Sequence, residues 1–223
     1  MLLSHSHRFL FVHTIRAAGT AIAQTLEPYG HKPPQGRWNR ALSKLGLVQD
    51  PTRIQLREHE TALGAKKLLP PEVFDTYYKF AFVRNPWSWL VSVWMRLKTT
   101  ESHRHHAAVA PLDFPDYVDW EIERNQRHQH LFVCDERHRV IVDFVGRLES
   151  LERDFEQVCR QITVPVRPLE KVGGRKREHQ DYRAYYDDGL REKVARHWAR
   201  DVELFGYAFD PSPEPLAPLR KER

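Results

Sequence analysis

The chain has 223 residues, 41% of them apolar and 29% charged, which is enough for one well-buried domain and excludes a disordered polypeptide. Its formal charge of +5 suits an anionic ligand without selecting one. No apolar run approaches the ~18 residues of a membrane span, and Met1 to Arg8 lack a signal peptide's long apolar core, so a cytoplasmic protein with no membrane span is expected.

In chain order, Phe9-Leu10-Phe11-Val12 is an apolar run without polar alternation, as in a strand buried on both faces of a parallel sheet. Small residues follow at Ala17, Ala18 and Gly19. Thr20 then opens a periodic segment with Ile22 and Leu26, which predicts a helix capped by Thr20. Strand, tight loop and helix start aim backbone N–H groups at one point, where the helix dipole favours an anion. Arg16 adds a positive charge to that loop. An ordinary strand-to-helix turn has the same local plan.

Tyr29 to Arg57 is punctuated by Gly30, Pro33, Pro34, Gly36 and Pro51 and reads as an irregular excursion with a short helix near Ala41 to Leu47. Ala62 to Leu69 predicts a helix ending before Pro70, and Pro71 to Tyr77 another helical turn. Lys79-Phe80-Ala81-Phe82-Val83-Arg84 repeats the opening theme, a buried strand ending in a cation. Pro86 suits the first turn of a new helix, along which Trp87, Leu90, Trp94 and Leu97 form an apolar stripe. Ser88 and Ser92 share another face of it, and Arg84 stands just before its start, a good grip for a phosphate. Solvent-facing serines and a salt-bridged Arg84 are the alternative.

His103, Arg104, His105 and His106 match no helical ligand pair, so that stretch reads as a solvated loop and no metal is expected. Phe114 to Arg124 predicts a helix, Val140 to Arg147 a third strand, Ser150 to Ile162 a helix, and Asp187 to Leu204 the last helix. A basic loop, Lys171 to Arg177, precedes that last helix, and a Pro-rich tail expected to be disordered follows from Asp210. Cys134 and Cys159 lack metal-type spacing; a disulfide stays open, with reduced thiols the simpler reading. Three strand-then-helix units imply a three-layer α/β fold, a central parallel sheet flanked by helices, with ligands at the carboxyl ends of the strands. That plan expects the Arg16 loop and Arg84 on one rim.

Phe9 to Ile22 resembles the 5′-phosphosulfate loop of PAPS-dependent sulfotransferases, where an apolar strand leads into His-Ile-Pro-Lys, small residues and Gly-Thr-Ser. Lys79 to Ser92, KFAFVRNPWSWLVS, is similar to that family's 3′-phosphate motif. Asp143 to Phe155 and Tyr185 to Phe209 resemble later segments of its carbohydrate branch, the Golgi-type and bacterial family 2-like enzymes. The resemblance implies a P-loop NTPase-like sulfotransferase fold, with a single domain over 1–209 and a tail over 210–223. It implies in-line transfer of a sulfuryl group from PAPS, leaving PAP, to a hydroxyl of a carbohydrate, glycolipid or similar acceptor, with no metal and no nucleic acid.

Placed residue by residue, the resemblance gives the 5′-phosphate to Ala17, Ala18, Gly19, Thr20 and Ala21, and makes Arg16 the cation facing the sulfuryl group. It gives the 3′-phosphate to Arg84 and Ser92, beside Ser88, which the helical spacing adds, and lets Arg175, Lys176 and Arg177 close over the nucleotide. His59, ahead of the Arg-Asn-Pro motif, becomes the catalytic base. Strand alternation would put Glu58 and Glu60 on the face opposite His59, and His13 reads as structural or a nucleotide neighbour. Two departures matter: Ile15-Arg16 replaces Pro-Lys, and Ala21 replaces a hydroxyl residue. They motivate a second reading, a PAPS- or PAP-binding protein with reduced or lost turnover. A nucleotide-dependent kinase of related fold would want a Gly-x-x-x-x-Gly-Lys loop, which is absent.

Overall fold

The computed structural model describes residues 1–34, 38, 42, 50–125, 128–169, 181–210 and 216–220. Its strands are β1 (Leu2–Ser4), β2 (Phe9–Val12), β3 (Tyr78–Val83), β4 (Phe144–Arg147) and β5 (Leu219–Arg220). Its described helices are α1 (Gly19–Leu26), α2 (Ala62–Leu68), α3 (Pro71–Thr76), α4 (Pro86–Thr99), α5 (His106–Val109), α6 (Phe114–Arg124), α7 (His130–Val133), α8 (Leu151–Gln161), α9 (Asp188–His197) and α10 (Ala199–Phe205). Two compact units emerge. The first holds Met1–Val83, Gln129–Gly173 and Ala217–Arg223; the second holds Arg84–His128 and Gly174–Leu216.

The first unit is built on a five-stranded sheet of order β1-β2-β3-β4-β5. The three inner strands are parallel, and β1 and β5 pair antiparallel at the edges. The sheet expected to be parallel is therefore mixed, because both chain ends fold back onto its edges. Register places Phe11, Phe80 and Phe144 side by side across the three inner strands. These rings pack with Ile22 and Leu26 of α1 and with Phe155 and Val158 of α8. Each buried phenylalanine contributes roughly 1.5–3 kcal/mol. Gly146 makes this packing possible: a Cβ there would lie 2.5 Å from the ring of Phe82, its cross-strand partner.

The opposite face carries Leu10, Val12, Ala81, Val83 and Val145, also buried. There the Lys79 ammonium sits 5.3 Å from the ring centroid of Phe74 on α3. Lys79 is itself buried, and its Nζ approaches Asp143 Oδ2 at 2.8 Å, so the charge is paired where water is excluded. Helices thus cover both sheet faces, as the strand-then-helix pattern predicts.

In the second unit α4 is buried at Trp87, Trp89, Leu90, Val93, Trp94 and Leu97, more of its circumference than the predicted stripe. Trp94 meets Phe114 of α6 edge to face at 5.4 Å, and Phe114 meets Tyr186 in the same manner at 5.0 Å. The last helix, expected as one piece, is two. It breaks at Trp198, whose φ and ψ of −97° and 25° leave the helical region while its buried ring packs 6.4 Å from Trp89.

Other expectations change in detail. A hairpin strand, β1, precedes the first predicted strand. The third strand is shorter than Val140 to Arg147, with Val140 only bridging to Cys134. The short helix expected near Ala41 to Leu47 lies, Leu42 apart, outside the described residues. The tail expected to be disordered contributes β5, held because the Arg147 Nε donates to Ala217 O at 3.0 Å and Arg220 Nη2 to Gln157 Oε1 at 3.0 Å. Both cysteines are buried and neither is in a disulfide, and burial pushes the Cys159 thiol up to about 11. Among the described residues no helix is long and apolar enough to cross a membrane.

Candidate active site

In the first unit the chain leaves β2 through two buried polar residues, His13 and Thr14. The Thr14 hydroxyl donates to the main-chain oxygen of Phe82, which ties the start of the loop to β3. The loop then turns twice through the left-handed region, at Arg16 (φ 59°) and Ala18 (φ 61°). Neither is glycine, and each such residue costs roughly 1–2 kcal/mol. Strain of this kind collects where a backbone is shaped for a ligand, and alternating left- and right-handed residues form the concave amide nests that bind anions.

The helix begins two residues earlier than predicted. Ala18, not Thr20, is the N-cap, and no side chain caps α1. The reason is the second left-handed residue, which turns the chain into the helix at Gly19. The first-turn amides are thereby left for water or a ligand at the positive end of the helix. Arg16 and Thr20 are exposed, Ala17 and Gly19 buried, and Ala18 and Ala21 between. Gly19 is needed because a Cβ there would lie 1.8 Å from His13 Cδ2.

His59 stands on a turn rather than a strand, so alternation does not separate it from Glu58 and Glu60. Its side chain is brought to the end of β2: Nδ1 lies 3.1 Å from the main-chain oxygen of His13. A carbonyl only accepts, so Nδ1 carries a proton, and whenever the ring is neutral its lone pair lies at Nε2. The rings of His13 and His59 meet edge to face at 4.7 Å. Burial pushes the His13 ring down to about 3, with His59 and the amino terminus adding to the effect. The Glu58 carboxylate, 3.7 Å from His13 Nδ1, therefore faces an uncharged ring and forms no ion pair. A small groove of about 260 Å³ is lined by Gln55, Arg57, Glu60, Gly64, Lys67 and Leu68. No sequence motif marks it; only the packing of α2 under the 55–60 segment creates it.

In the second unit Asn85 caps α4, its Oδ1 accepting from the amides of Trp87 (3.1 Å) and Ser88 (3.4 Å). Arg84 lies along that first turn, donating from Nε (2.9 Å) and Nη2 (2.7 Å) to the Ser88 hydroxyl. The arginine and the first serine of the predicted constellation are thus in contact. Ser92, one turn further, is buried. The start of α4 is anchored by three more bonds: Asn85 Nδ2 to Ala208 O (2.8 Å), Trp87 Nε1 to Arg191 O (3.1 Å) and Tyr186 OH to Trp87 O (2.9 Å). Arg175, Lys176 and Arg177 lie outside the described residues.

The sequence profile described as "Sulfotransferase family" matches residues 1–208. Carbohydrate sulfotransferase 14 of Homo sapiens is 26% identical over 192 residues, and that of Mus musculus 23%, with 74% of this chain and 47% of each relative covered. The chain thus spans about half the length of these two relatives. An uncharacterised protein of Archaeoglobus fulgidus is 31% identical over 103 residues, 42% of this chain and 74% of that protein. Among solved structures, a sulfotransferase from Alicyclobacillus acidocaldarius aligns at 16% identity and a TM-score of 0.44, covering 88% of this chain and 92% of its own.

Proposed function

The chain belongs to the sulfotransferase family, and we propose that it moves a sulfuryl group from PAPS to a hydroxyl of a carbohydrate-type acceptor. The observation that carries this reading is the loop from His13 to Thr20, with its two left-handed residues, uncapped helix start and Arg16. On this reading the amides of residues 17–21 and the Thr20 hydroxyl take the 5′-phosphate, and Arg16 faces the sulfuryl group. Arg84 and Ser88, with Ser92, take the 3′-phosphate, a role supported by the two-point grip of the guanidinium on Ser88.

Transfer is in line: the acceptor oxygen bonds to sulfur as the bond from sulfur to the phosphate oxygen breaks. By analogy with phosphoryl transfer, charge moves onto the leaving oxygen. Arg16 and the loop amides stabilise that charge, and positioning supplies much of the rest. His59 Nε2 takes the acceptor's proton. The groove whose lining residues Arg57 and Glu60 bracket His59 in sequence is the candidate acceptor site. The relatives named carbohydrate sulfotransferases support a carbohydrate acceptor.

The test is transfer of labelled sulfate from PAPS to a panel of sugars and glycolipids, with PAP and ATP-magnesium compared by calorimetry. PAP should bind and ATP-magnesium should not. His59→Ala should lower turnover at least 100-fold and leave PAP affinity intact; near-full activity in that variant would remove His59 as the base. Ile15, Arg16 and Ala21, where the family has Pro, Lys and a hydroxyl residue, favour the second reading, a PAP-binding protein with lost turnover. PAP binding without transfer to any acceptor selects it.

A further inference from the structure

His13 is placed as no surface or merely space-filling histidine need be. It is buried at the carboxyl end of β2, 5% exposed, with its ring stacked on Phe11 at 5.8 Å and 20°. Its other edge rests against Gly19, where no side chain fits. Its main-chain oxygen accepts from His59 Nδ1 at 3.1 Å, and its ring meets the His59 ring at 4.7 Å and 66°. One residue therefore touches the strand, the start of α1 and the turn that carries His59.

We propose that His13 is a positioning residue for His59: its main-chain oxygen fixes the proton on Nδ1, and its wedged ring holds the imidazole so that Nε2 keeps its lone pair. The proposal rests on the reading of His59 as the base. His59 is exposed, so without the wedge the ring turns freely and loses its bond to His13 O. A free imidazole then samples both tautomers, and only one of them offers Nε2. The groups around the pair are the Glu58 carboxylate, 3.7 Å from His13 Nδ1, and the amino terminus, which donates to the main-chain oxygens of Arg57 and Glu58. The His13 ring stays uncharged across the working range, because loss of hydration pushes it down to about 3. It neither competes with His59 for the proton nor repels the charge that His59 gains.

Two variants of the full chain separate the ring's packing from its nitrogens. His13→Phe keeps the ring, and His13→Asn removes it. Nitrogen NMR of the His59 side chain reads the tautomer without any turnover. The Nδ1–H form should dominate in the parent and in His13→Phe, and give way to a mixture in His13→Asn. Turnover should stay within about threefold in His13→Phe and fall about tenfold or more in His13→Asn. PAP affinity should be unchanged in His13→Phe, which keeps a ring against Gly19. An unchanged tautomer and turnover in folded His13→Asn overturns the proposal, as does equal loss in folded His13→Phe, which would assign the work to the ring nitrogens. If His59→Ala keeps full activity while the tautomer pattern holds, the reading of the base fails and the positioning contact stands.

Discussion

His13 also carries a cost that can be read in solution. Its folded-state pKa, pushed down to about 3 by burial, lies below the ordinary value of 6.5. The unfolded chain therefore binds this proton more readily than the folded one. Stability is fully present above the unfolded pKa and is lost as pH falls toward the folded value. Between pH 7 and pH 5 the loss from this one group should be about 2 kcal/mol. Urea titrations at the two pH values check it, and His13→Phe should lose less than the parent over the same interval. Arg84 offers a second residue-scale test. Two of its nitrogens converge on the Ser88 hydroxyl. A lysine keeps the charge and loses the planar fork, so Arg84→Lys should weaken PAP binding roughly tenfold with little change in stability. Calorimetry reads the first and thermal melting the second.

The two helix starts are opposite solutions of one problem. A helix leaves its first amides without partners. At α4 the Asn85 side chain satisfies two of them and its amide nitrogen also donates to Ala208 O. At α1 no side chain does so, and the turn is made with two left-handed residues instead. The first is built for stability, the second leaves donors open. Asn85→Ala should therefore destabilise the fold by about 1–2 kcal/mol. Asn85→Asp, which keeps the acceptor and loses the donor to Ala208, should cost less. Chemical denaturation orders the three proteins, and equal stability of all three would show that the cap contributes nothing.

At the scale of the whole molecule, the sheet of the first unit is closed at both edges by the ends of the chain. β1 covers β2 and β5 covers β4, each antiparallel. An uncovered β4 would present unpaired N–H and C=O groups, the template on which strands of other chains add. Truncation after Asp210 removes β5 together with the acceptor of Arg147 Nε. The shortened chain should melt at a lower temperature and associate with rising concentration, as light scattering would show. A truncated chain that associates no more than the parent and keeps its melting temperature would mean that β5 does not guard the edge.

The sequence by itself determined the parts that repeat at short range. Four apolar residues in a row marked β2, the period of Trp87, Leu90, Trp94 and Leu97 marked α4, and proline bounded α2 at its end and α3 and α4 at their starts. Those signals act through local sterics and burial, which neighbours in the chain set. The tertiary structure alone decided the antiparallel edges, because pairing partners lie at opposite ends of the chain. It alone placed His59 Nδ1 on the main-chain oxygen of His13, across 46 residues, and so chose the tautomer. It moved the cap from Thr20 to Ala18, since a left-handed turn at Ala18, unmarked in the residue types, starts the helix at Gly19, where His13 leaves no room for a Cβ. Motifs named the candidate residues; contacts between distant segments gave their side chains direction.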